Sequence, residues 1–293
     1  EKVTGTPFAE HMERRVLGPL GMSSSSFLPD KEVIRKNLAR AYMVDFEGRY
    51  FPAPTFSLGT LPAGNLYSTV GDLSKLMMML FAGGRAGDRR ILAEETLRRM
   101  LQIQFASEHE HAGFGLGFFL GSMWNRRTVS HCGAVYGFAS AFFALPEEKL
   151  GVVVLNDVDC ANGFNDKIVQ TAFRHLLNAK LSAAIPPPPE VLEIGAADLE
   201  EYAGKYTRGG KDAWASVKGG SLELSFLGTP HRLAPVARDG FIADGRLGYG
   251  TRFDFFRGEG GRVAGFRSGR SEYLRSVAGA PSAGDSERFQ ELV

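Results

Sequence analysis

A run of four consecutive prolines, Pro186 to Pro189, separates two stretches of the chain with different hydrophobic patterns. Because proline lacks an N–H and has a fixed φ, this run cannot continue a helix or a central strand and forms a stiff spacer. Before it, apolar residues recur at helical spacing or in strand-length runs, and after it the apolar stretches are short and close together. The pattern predicts two domains, 1–183 and 191–276, joined by a Pro-rich linker at 184–190.

The composition is that of an ordinary globular protein. The 293 residues carry a net charge of +1, with 44% hydrophobic and 23% charged residues. This balance provides no basic surface for nucleic acid, and the apolar runs are too short to span a bilayer. The two cysteines, Cys132 and Cys160, are too few for a disulfide framework or a metal cluster, so no metal or cofactor is predicted. The segment 277–293 is poor in hydrophobic residues and is expected to be a flexible tail.

The first domain combines helices with longer strands. Helical spacing and capping residues predict four helices in this domain. The first runs from Thr6–Pro7 to Gly18–Pro19 and the second from the Thr69 cap to Gly83. The third runs from Ala93 to Leu101 and the fourth from Asn162 to Leu181. The four serines Ser23 to Ser26 are expected to form a loop. The patterns predict a hairpin over Ala41 to Pro54 and a central strand over Leu150 to Leu155. Strands followed by a helix that can cover them indicate an α+β fold with an antiparallel sheet.

The second domain has a different pattern, with short strands separated by glycine-containing turns. A helical lead-in is predicted over Asp198 to Tyr206. Six strands follow at Ala213–Lys218, Leu222–Leu227, His231–Val236, Gly240–Ala243, Thr251–Arg257 and Arg262–Phe266. Closely spaced antiparallel strands of this kind indicate a small barrel or a sandwich.

The stretch from Val129 to Phe138 is the best candidate for a functional site. It begins as a strand, carries His131 near the expected strand end, and has glycines that allow a bound group to approach the backbone. Such a strand suits the stabilisation of an oxyanion by a backbone N–H. The alternative is a half-buried hairpin with a structural histidine. Cys132 should point away from His131 and into the core.

His109 and His111 form a second candidate, because alternation along a strand would place both on one face as a pair of metal ligands. No third ligand accompanies them in the sequence. The alternative is a solvated loop.

Three segments occurring in a fixed order resemble one family. They are Val16 to Met22 (VLGPLGM), Ala63 to Leu73 (AGNLYSTVGDL) and His131 to Ser140 (HCGAVYGFAS). Together they resemble the C-terminal part of a serine β-lactamase/penicillin-binding-protein-like hydrolase, close to the class C β-lactamase-related esterases and peptidases. The resemblance covers residues 1–181, and Tyr202 to Tyr206 (YAGKY) resembles the start of a lipocalin-like barrel that is often appended to this family.

The resemblance implies an acyl-enzyme mechanism and assigns roles to residues of the third segment. His131 and Gly133 match the first and third positions of the family's Lys/His-x-Gly motif. His131 would be a proton-network or electrostatic partner beside the nucleophile, and Gly133 would let the substrate approach the strand. The N–H of Ala134 would donate to the oxyanion.

The resemblance also implies a substrate pocket, lined by Gly64 and Asn65 with Tyr136 beside the strand. The substrate would be a small-molecule ester, a β-lactam or a peptide containing D-amino acids. Family members are often exported, which suggests a periplasmic or secreted protein, although no residues here show export.

The chain departs from the family pattern because its other two motifs are absent. None of the lysines has a serine three residues upstream, and no Tyr or Ser precedes an Asn by two residues, so Ser-x-x-Lys and Tyr/Ser-x-Asn are missing. One hypothesis is that the chain is a portion of a serine hydrolase and is inactive as given. The alternative is a non-catalytic ligand-binding or scaffold protein.

The resemblance also predicts an incomplete sheet, since the family's first helix and outer strands are expected upstream of these residues. An unpaired sheet edge and uncovered apolar helix faces favour self-association or marginal stability. A monomeric chain with a sharp, cooperative unfolding transition would contradict this expectation.

Overall fold

The computed structural model describes residues 1–45, 49–54, 59–104, 111–226, 229–246, 248–269 and 271–276. The chain forms two compact units, which comprise residues 1–185 and the residues from 186 onward. Each unit has its own hydrophobic core.

The first helix, α1 (8–20), continues through the Gly18–Pro19 pair that was predicted to end it. It consists of Phe8–Met12, a π-helical turn at Glu13–Leu17, and Gly18–Leu20. A Cβ on Gly18 would lie 2.9 Å from the Glu13 carbonyl oxygen, so glycine permits the wider turn that accommodates the following proline. The helix ends instead at Gly21, which has a left-handed φ of 69°.

The other described helices of the first unit agree with the predicted positions or add short turns. They are α2 (Glu32–Asn37), α3 (Leu61–Gly64), α4 (Val70–Phe81), α5 (Glu94–Met100) and α6 (Asn162–Leu181). The Thr69 side chain caps α4 by accepting a hydrogen bond from the N–H of Asp72, at 3.2 Å. Two short hairpins accompany them, β1 (Tyr42–Val44) with β2 (Tyr50–Pro52), and β3 (Arg85–Ala86) with β4 (Arg89–Arg90).

A five-stranded antiparallel sheet forms the centre of this unit, with the strand order β5-β6-β7-β8-β9. Its strands are β5 (Gly113–Phe114), β6 (Phe119–Met123), β7 (Arg126–Val135), β8 (Phe138–Leu145) and β9 (Leu150–Asn156). The prediction that Leu150 to Leu155 is a central strand is wrong for the described residues, in which β9 lies at an edge of this sheet. Its apolar composition arises because both of its faces are covered. Val153 packs in the core that includes helix α4, and Val152 and Val154 pack against α6.

Helix α6 covers one face of the sheet through Val169, Phe173 and Leu177, which are all at most 1% exposed. Ile168 and Leu176 belong to the same apolar pattern of the helix, which predicts that they face the core. They are 47% and 36% exposed, because the sheet contacts a narrower stripe of the helix than the apolar pattern covers.

The second unit is a closed, eight-stranded antiparallel barrel. Its strands are β10 (Gly204–Arg208), β11 (Lys211–Lys218), β12 (Ser221–Phe226), β13 (Thr229–Ala237), β14 (Gly240–Ala243), β15 (Arg252–Arg257), β16 (Val263–Ser268) and β17 (Ser271–Arg275). The six predicted strands correspond to β11 to β16. The first and last strands were not predicted, and pairing of Tyr206 with Arg275 closes the barrel between them.

The helical lead-in to the barrel is shorter than predicted. Helix α7 (Ala196–Leu199) and a 3-10 turn, Glu200–Tyr202, end before Tyr206, which lies in β10. Tyr206 turns inward because its ring packs between Phe255 and Phe266 in the barrel core. Aromatic side chains fill this interior, so the described part of the barrel has a packed core.

Candidate functional site

The two-residue turn Tyr136–Gly137 determines which backbone groups of β7 are free. The register pairs Val135 with Phe138 directly across this turn. A pair that closes such a turn is hydrogen-bonded, and hydrogen-bonded pairs alternate with non-hydrogen-bonded pairs along the ladder. Gly133 therefore belongs to a hydrogen-bonded pair, whereas the N–H of Ala134 points away from β8.

The side of β7 toward which this N–H points is unpaired. Strand β6 pairs with β7 only from Arg126 to Ser130 among the described residues. The sequence suggested that His131 lies near a strand end, and this prediction is wrong. His131 lies inside a ten-residue strand, at the point where pairing with β6 stops. No described strand pairs with this edge of β7 from His131 to Val135, so the described part of the sheet leaves the edge open to a bound group.

Alternation along β7 places its side chains on two faces. Val129 packs in the core shared with helix α4, so His131 and Gly133 face the same side. His131 and Ala134 are both exposed at this edge. Cys132 faces the other side, but the prediction that it lies in the core is wrong, since it is exposed. Helix α6 packs mainly on β8 and β9 and touches this part of β7 at its first turn.

Position 133 must be glycine because a side chain of the neighbouring strand β8 lies too close for a Cβ. A Cβ at this position would lie 2.4 Å from the hydroxyl oxygen of Ser140, which is directly opposite on β8. The half-buried Ser140 hydroxyl therefore lies over Gly133 on the His131 side of the sheet. Sequence reasoning did not identify this residue, although the register across a two-residue turn would have placed it there.

Gly137 joins the turn to the β1–β2 hairpin. It has φ of 79°, and a Cβ here would lie 2.5 Å from the Cβ atoms of both Ala41 and Ala53. The hairpin is also tied to the segment after β9, because the N–H of Tyr42 donates to the Asp157 carbonyl at 2.8 Å. Tyr136, the preceding turn residue, is 59% exposed.

Gly64 and Asn65 lie at the end of helix α3. Leu61 of this helix packs in the same core cluster as Val129 of β7, which places the loop on the His131 side of the sheet. Gly64 is exposed, whereas Asn65 is only 4% exposed. The burial of Asn65 favours a role in holding the loop.

The loop after α3 is fastened to the serine loop. Ser26 and Tyr67 exchange two backbone hydrogen bonds, at 3.0 and 2.9 Å. The hydroxyls of Ser25 and Ser68 are 2.8 Å apart. The prediction that Ser23 to Ser26 form a loop is therefore correct, and two of these serines are structural.

The buried side chain of Asp72 binds the serine loop to the start of helix α4. Its carboxylate accepts hydrogen bonds from the Ser24 N–H at 2.8 Å, the Ser25 hydroxyl at 2.8 Å and the Lys75 ammonium at 2.7 Å. Burial by itself would raise the pKa of Asp72, but these hydrogen bonds outweigh it and hold the pKa below its usual value. Asp72 is therefore a charged anchor for the loop that carries Gly64.

Helix α6 contacts the candidate oxyanion strand through its first residue. The Asn162 side-chain amide donates to the Gly133 carbonyl at 3.1 Å. Asp166, one turn later, has its pKa raised by burial. Although Cys132 is exposed, its thiol is partly removed from water, which raises its pKa, and the charge of Asp166 adds to the effect.

The described residues offer no support for a metal centre, since they contain no cluster of three or more His, Cys, Asp or Glu side chains suited to a metal ion. His111 is exposed, and His109 lies outside the described residues. Among the helices that the structure describes, none is both long enough and apolar enough to cross a membrane.

Comparison with known proteins identifies the family. The sequence model of the Beta-lactamase family matches residues 1–163, which is more than half of the chain. A beta-lactamase-like 1 protein from Homo sapiens is 30% identical over 187 residues, 60% of this chain and 35% of the human protein. Penicillin-binding protein 4 from Amycolatopsis lactamdurans is 25% identical over 218 residues, 72% of this chain and 56% of that protein.

The fold comparison agrees with the family match. The octameric penicillin-binding protein homologue from Pyrococcus abyssi aligns with 94% of this chain and 61% of its own, with a TM-score of 0.55 and 24% identity. The chain thus spans between about a third and two thirds of the length of these proteins. The predicted α+β fold with an added barrel is confirmed. On the family match over residues 1–163, the chain belongs to the beta-lactamase family.

Proposed function

We propose that this chain supplies the oxyanion strand and one wall of the substrate pocket in a serine hydrolase that works through an acyl-enzyme. The observation that carries the proposal is the Ala134 N–H, which points to the unpaired edge of β7 beside His131 and Gly133. A backbone N–H at a fixed strand edge costs no reorganisation when negative charge develops in the transition state. Esters, β-lactams and peptides containing D-amino acids are the proposed substrates.

The proposed reaction divides the work between this chain and other residues. A serine hydroxyl adds to the substrate carbonyl, and a base removes its proton as the oxyanion forms. The Ala134 N–H donates to that oxyanion, and His131 acts on the neighbouring face as an electrostatic or proton-network partner. The leaving group departs to give an acyl-serine, which water then hydrolyses.

We propose that the nucleophile and the base belong to Ser-x-x-Lys and Tyr/Ser-x-Asn motifs outside these 293 residues, since the sequence contains neither motif. The 293-residue chain should then form no covalent adduct with a fluorophosphonate or a penicillin. The longer gene product that carries the motifs should form one at a single serine. Intact-mass analysis of both proteins tests this, and a stoichiometric adduct on the 293-residue chain would contradict the proposal.

Removing the Ala134 N–H should slow acylation of the longer protein. Ala134→Pro deletes this donor without breaking a bond to β8, because the N–H points away from that strand. We expect a loss of about 10²- to 10³-fold in the acylation rate. Cys132→Pro is the matched control, because it deletes an N–H from the same edge two residues away. Equal losses in the two variants would argue against a specific role for Ala134.

We also propose that the chain associates with itself through the edge of β9. This strand is apolar on both faces, and Leu155 is 41% exposed. Unpaired, apolar edge strands favour association between chains. Sedimentation velocity should show dimers or larger species, and Leu155→Lys should shift the chain toward monomers. A wild-type chain that stays monomeric at high concentration would refute this.

A further inference from the structure

We propose that Asn162 is a positioning residue that holds the Gly133–Ala134 peptide in the orientation needed to donate to an oxyanion. The inference rests on the proposed function of the Ala134 N–H. It adds a residue from a different element, helix α6, which sequence reasoning did not connect with the strand.

The link runs through a single peptide group. Asn162 Nδ2 donates to the Gly133 carbonyl oxygen at 3.1 Å. The carbonyl of Gly133 and the N–H of Ala134 belong to the same planar peptide unit, so a constraint on one sets the direction of the other. Asn162 therefore acts on the Ala134 N–H through the carbonyl on the opposite side of the same peptide group.

The carbonyl has a second donor. Because Gly133 and Ser140 form a hydrogen-bonded pair, the Gly133 oxygen also accepts within the ladder to β8. A carbonyl oxygen has two lone pairs and can serve both donors. Two bonds to this oxygen polarise the peptide and strengthen the opposite N–H as a donor, since hydrogen bonds in a chain reinforce one another.

The position of Asn162 is itself well supported. It is the first residue of the 20-residue helix α6, and Ala161 just before it is 1% exposed. Val169, Phe173 and Leu177 fix the helix on the sheet. Among the described residues Gly133 lies beyond the part of β7 that β6 supports and pairs with β8 alone, so the bond from α6 adds a restraint to a weakly supported segment.

A positioning role predicts a moderate kinetic effect. Losing Asn162 would leave the Ala134 N–H in place but less well oriented and less polarised. We expect acylation of the longer protein to fall about tenfold, less than the loss for removing the N–H itself. The effect should appear in kcat rather than in KM, because the oxyanion exists only in the transition state and the intermediate.

Selective isotope labelling can observe this peptide directly. The sequence contains three Gly–Ala pairs, at 133–134, 195–196 and 279–280. With ¹³C-carbonyl glycine and ¹⁵N-alanine, a carbonyl–amide correlation spectrum of the 293-residue chain contains signals from these peptides only. Ala134→Val removes one of the three signals and so assigns it.

The variants separate positioning from a general structural effect. Asn162→Asp keeps the shape but loses the donor, and Asn162→Ala loses the donor without adding charge near Asp166. Both should shift the Gly133 carbonyl and the Ala134 amide upfield and leave the 195–196 signal unchanged. Asn178→Ala, at an exposed position of the same helix, should leave all three signals in place.

Unshifted Gly133–Ala134 signals in both Asn162 variants would overturn the inference. The spectrum needs no turnover, so its result does not depend on the proposed function. If the longer protein forms no acyl-enzyme, the proposed function fails, while the spectrum still decides whether Asn162 holds this peptide.

Discussion

Gly137→Ala should destabilise the first unit by about 3 kcal/mol, for two separable reasons. Gly137 has φ of 79°, a conformation that costs a residue with a Cβ about 1–2 kcal/mol. The added methyl group would also lie 2.5 Å from the Cβ atoms of Ala41 and Ala53, which cannot rotate away. Overpacking of this kind typically costs about 1–3 kcal/mol.

Urea unfolding can measure the two contributions separately. Gly117→Ala is the control for conformation alone, because Gly117 has φ of 83° and no atom of the described residues would lie within 4 Å of an added methyl group. Combining Gly137→Ala with Ala41→Gly and Ala53→Gly removes the two methyl groups that the new one would meet. The triple variant should therefore regain the share of the unfolding free energy that overpacking had cost. If Gly137→Ala costs no more than Gly117→Ala, the hairpin does not pack tightly on the turn.

Replacing Asp72 should also destabilise the first unit strongly. We expect a loss of about 3 kcal/mol for Asp72→Ala and about 2 kcal/mol for Asp72→Asn, because hydrogen bonds to a buried charged group are worth about 1.5–3 kcal/mol each and are only partly replaced by an amide. Glu95→Gln is the matched control. Glu95 pairs with Arg98 on the surface, so its replacement should change the free energy of unfolding little.

The effect of Asp72 should depend on pH in a defined direction. Its pKa is lower in the folded chain than the ordinary value of 3.8, so its contribution to stability is fully present above the unfolded pKa. That contribution is lost as the pH falls through the folded pKa. The stability difference between wild type and Asp72→Asn should therefore be constant at neutral pH and shrink below about pH 4.

Fluorescence can restrict this measurement to the first unit. The chain has two tryptophans, and Trp124 lies in the first unit while Trp214 lies in the barrel. A Trp214→Phe background leaves Trp124 as the only tryptophan reporter. A stability difference that persists undiminished at pH 2 would show that the Asp72 charge is not the origin of the effect.

Local patterns predicted several elements well. The spacing of apolar residues placed α6 at Asn162 to Leu181, as observed, and turn residues placed β14 at Gly240 to Ala243. These successes share a cause, since the periods of 3.6 and 2 residues and the turn preferences of glycine are properties of a short segment. The Gly18–Pro19 pair failed as a helix stop because a π-helical turn changed the local geometry.

The candidate site could be predicted only in part. The order of His131, Gly133 and Ala134 on a strand is visible in the sequence, and the two-residue turn after them determines the pairing register. Where β6 stops pairing, and hence which N–H groups are free, cannot be read from β7 itself. Asn162 was missed for a similar reason, because it reaches Gly133 from helix α6. Ser140 could have been placed opposite Gly133 from the turn register.

The sequence by itself determined the type of most long elements and the family of the first unit. These depend on neighbouring residues and on motifs with a fixed order. Only the tertiary structure decided that β9 lies at a sheet edge, that Cys132 is exposed and that Asn162 contacts the Gly133 carbonyl. Each of these depends on which distant segment packs beside a residue, and the same local apolar or polar pattern is compatible with several such neighbours.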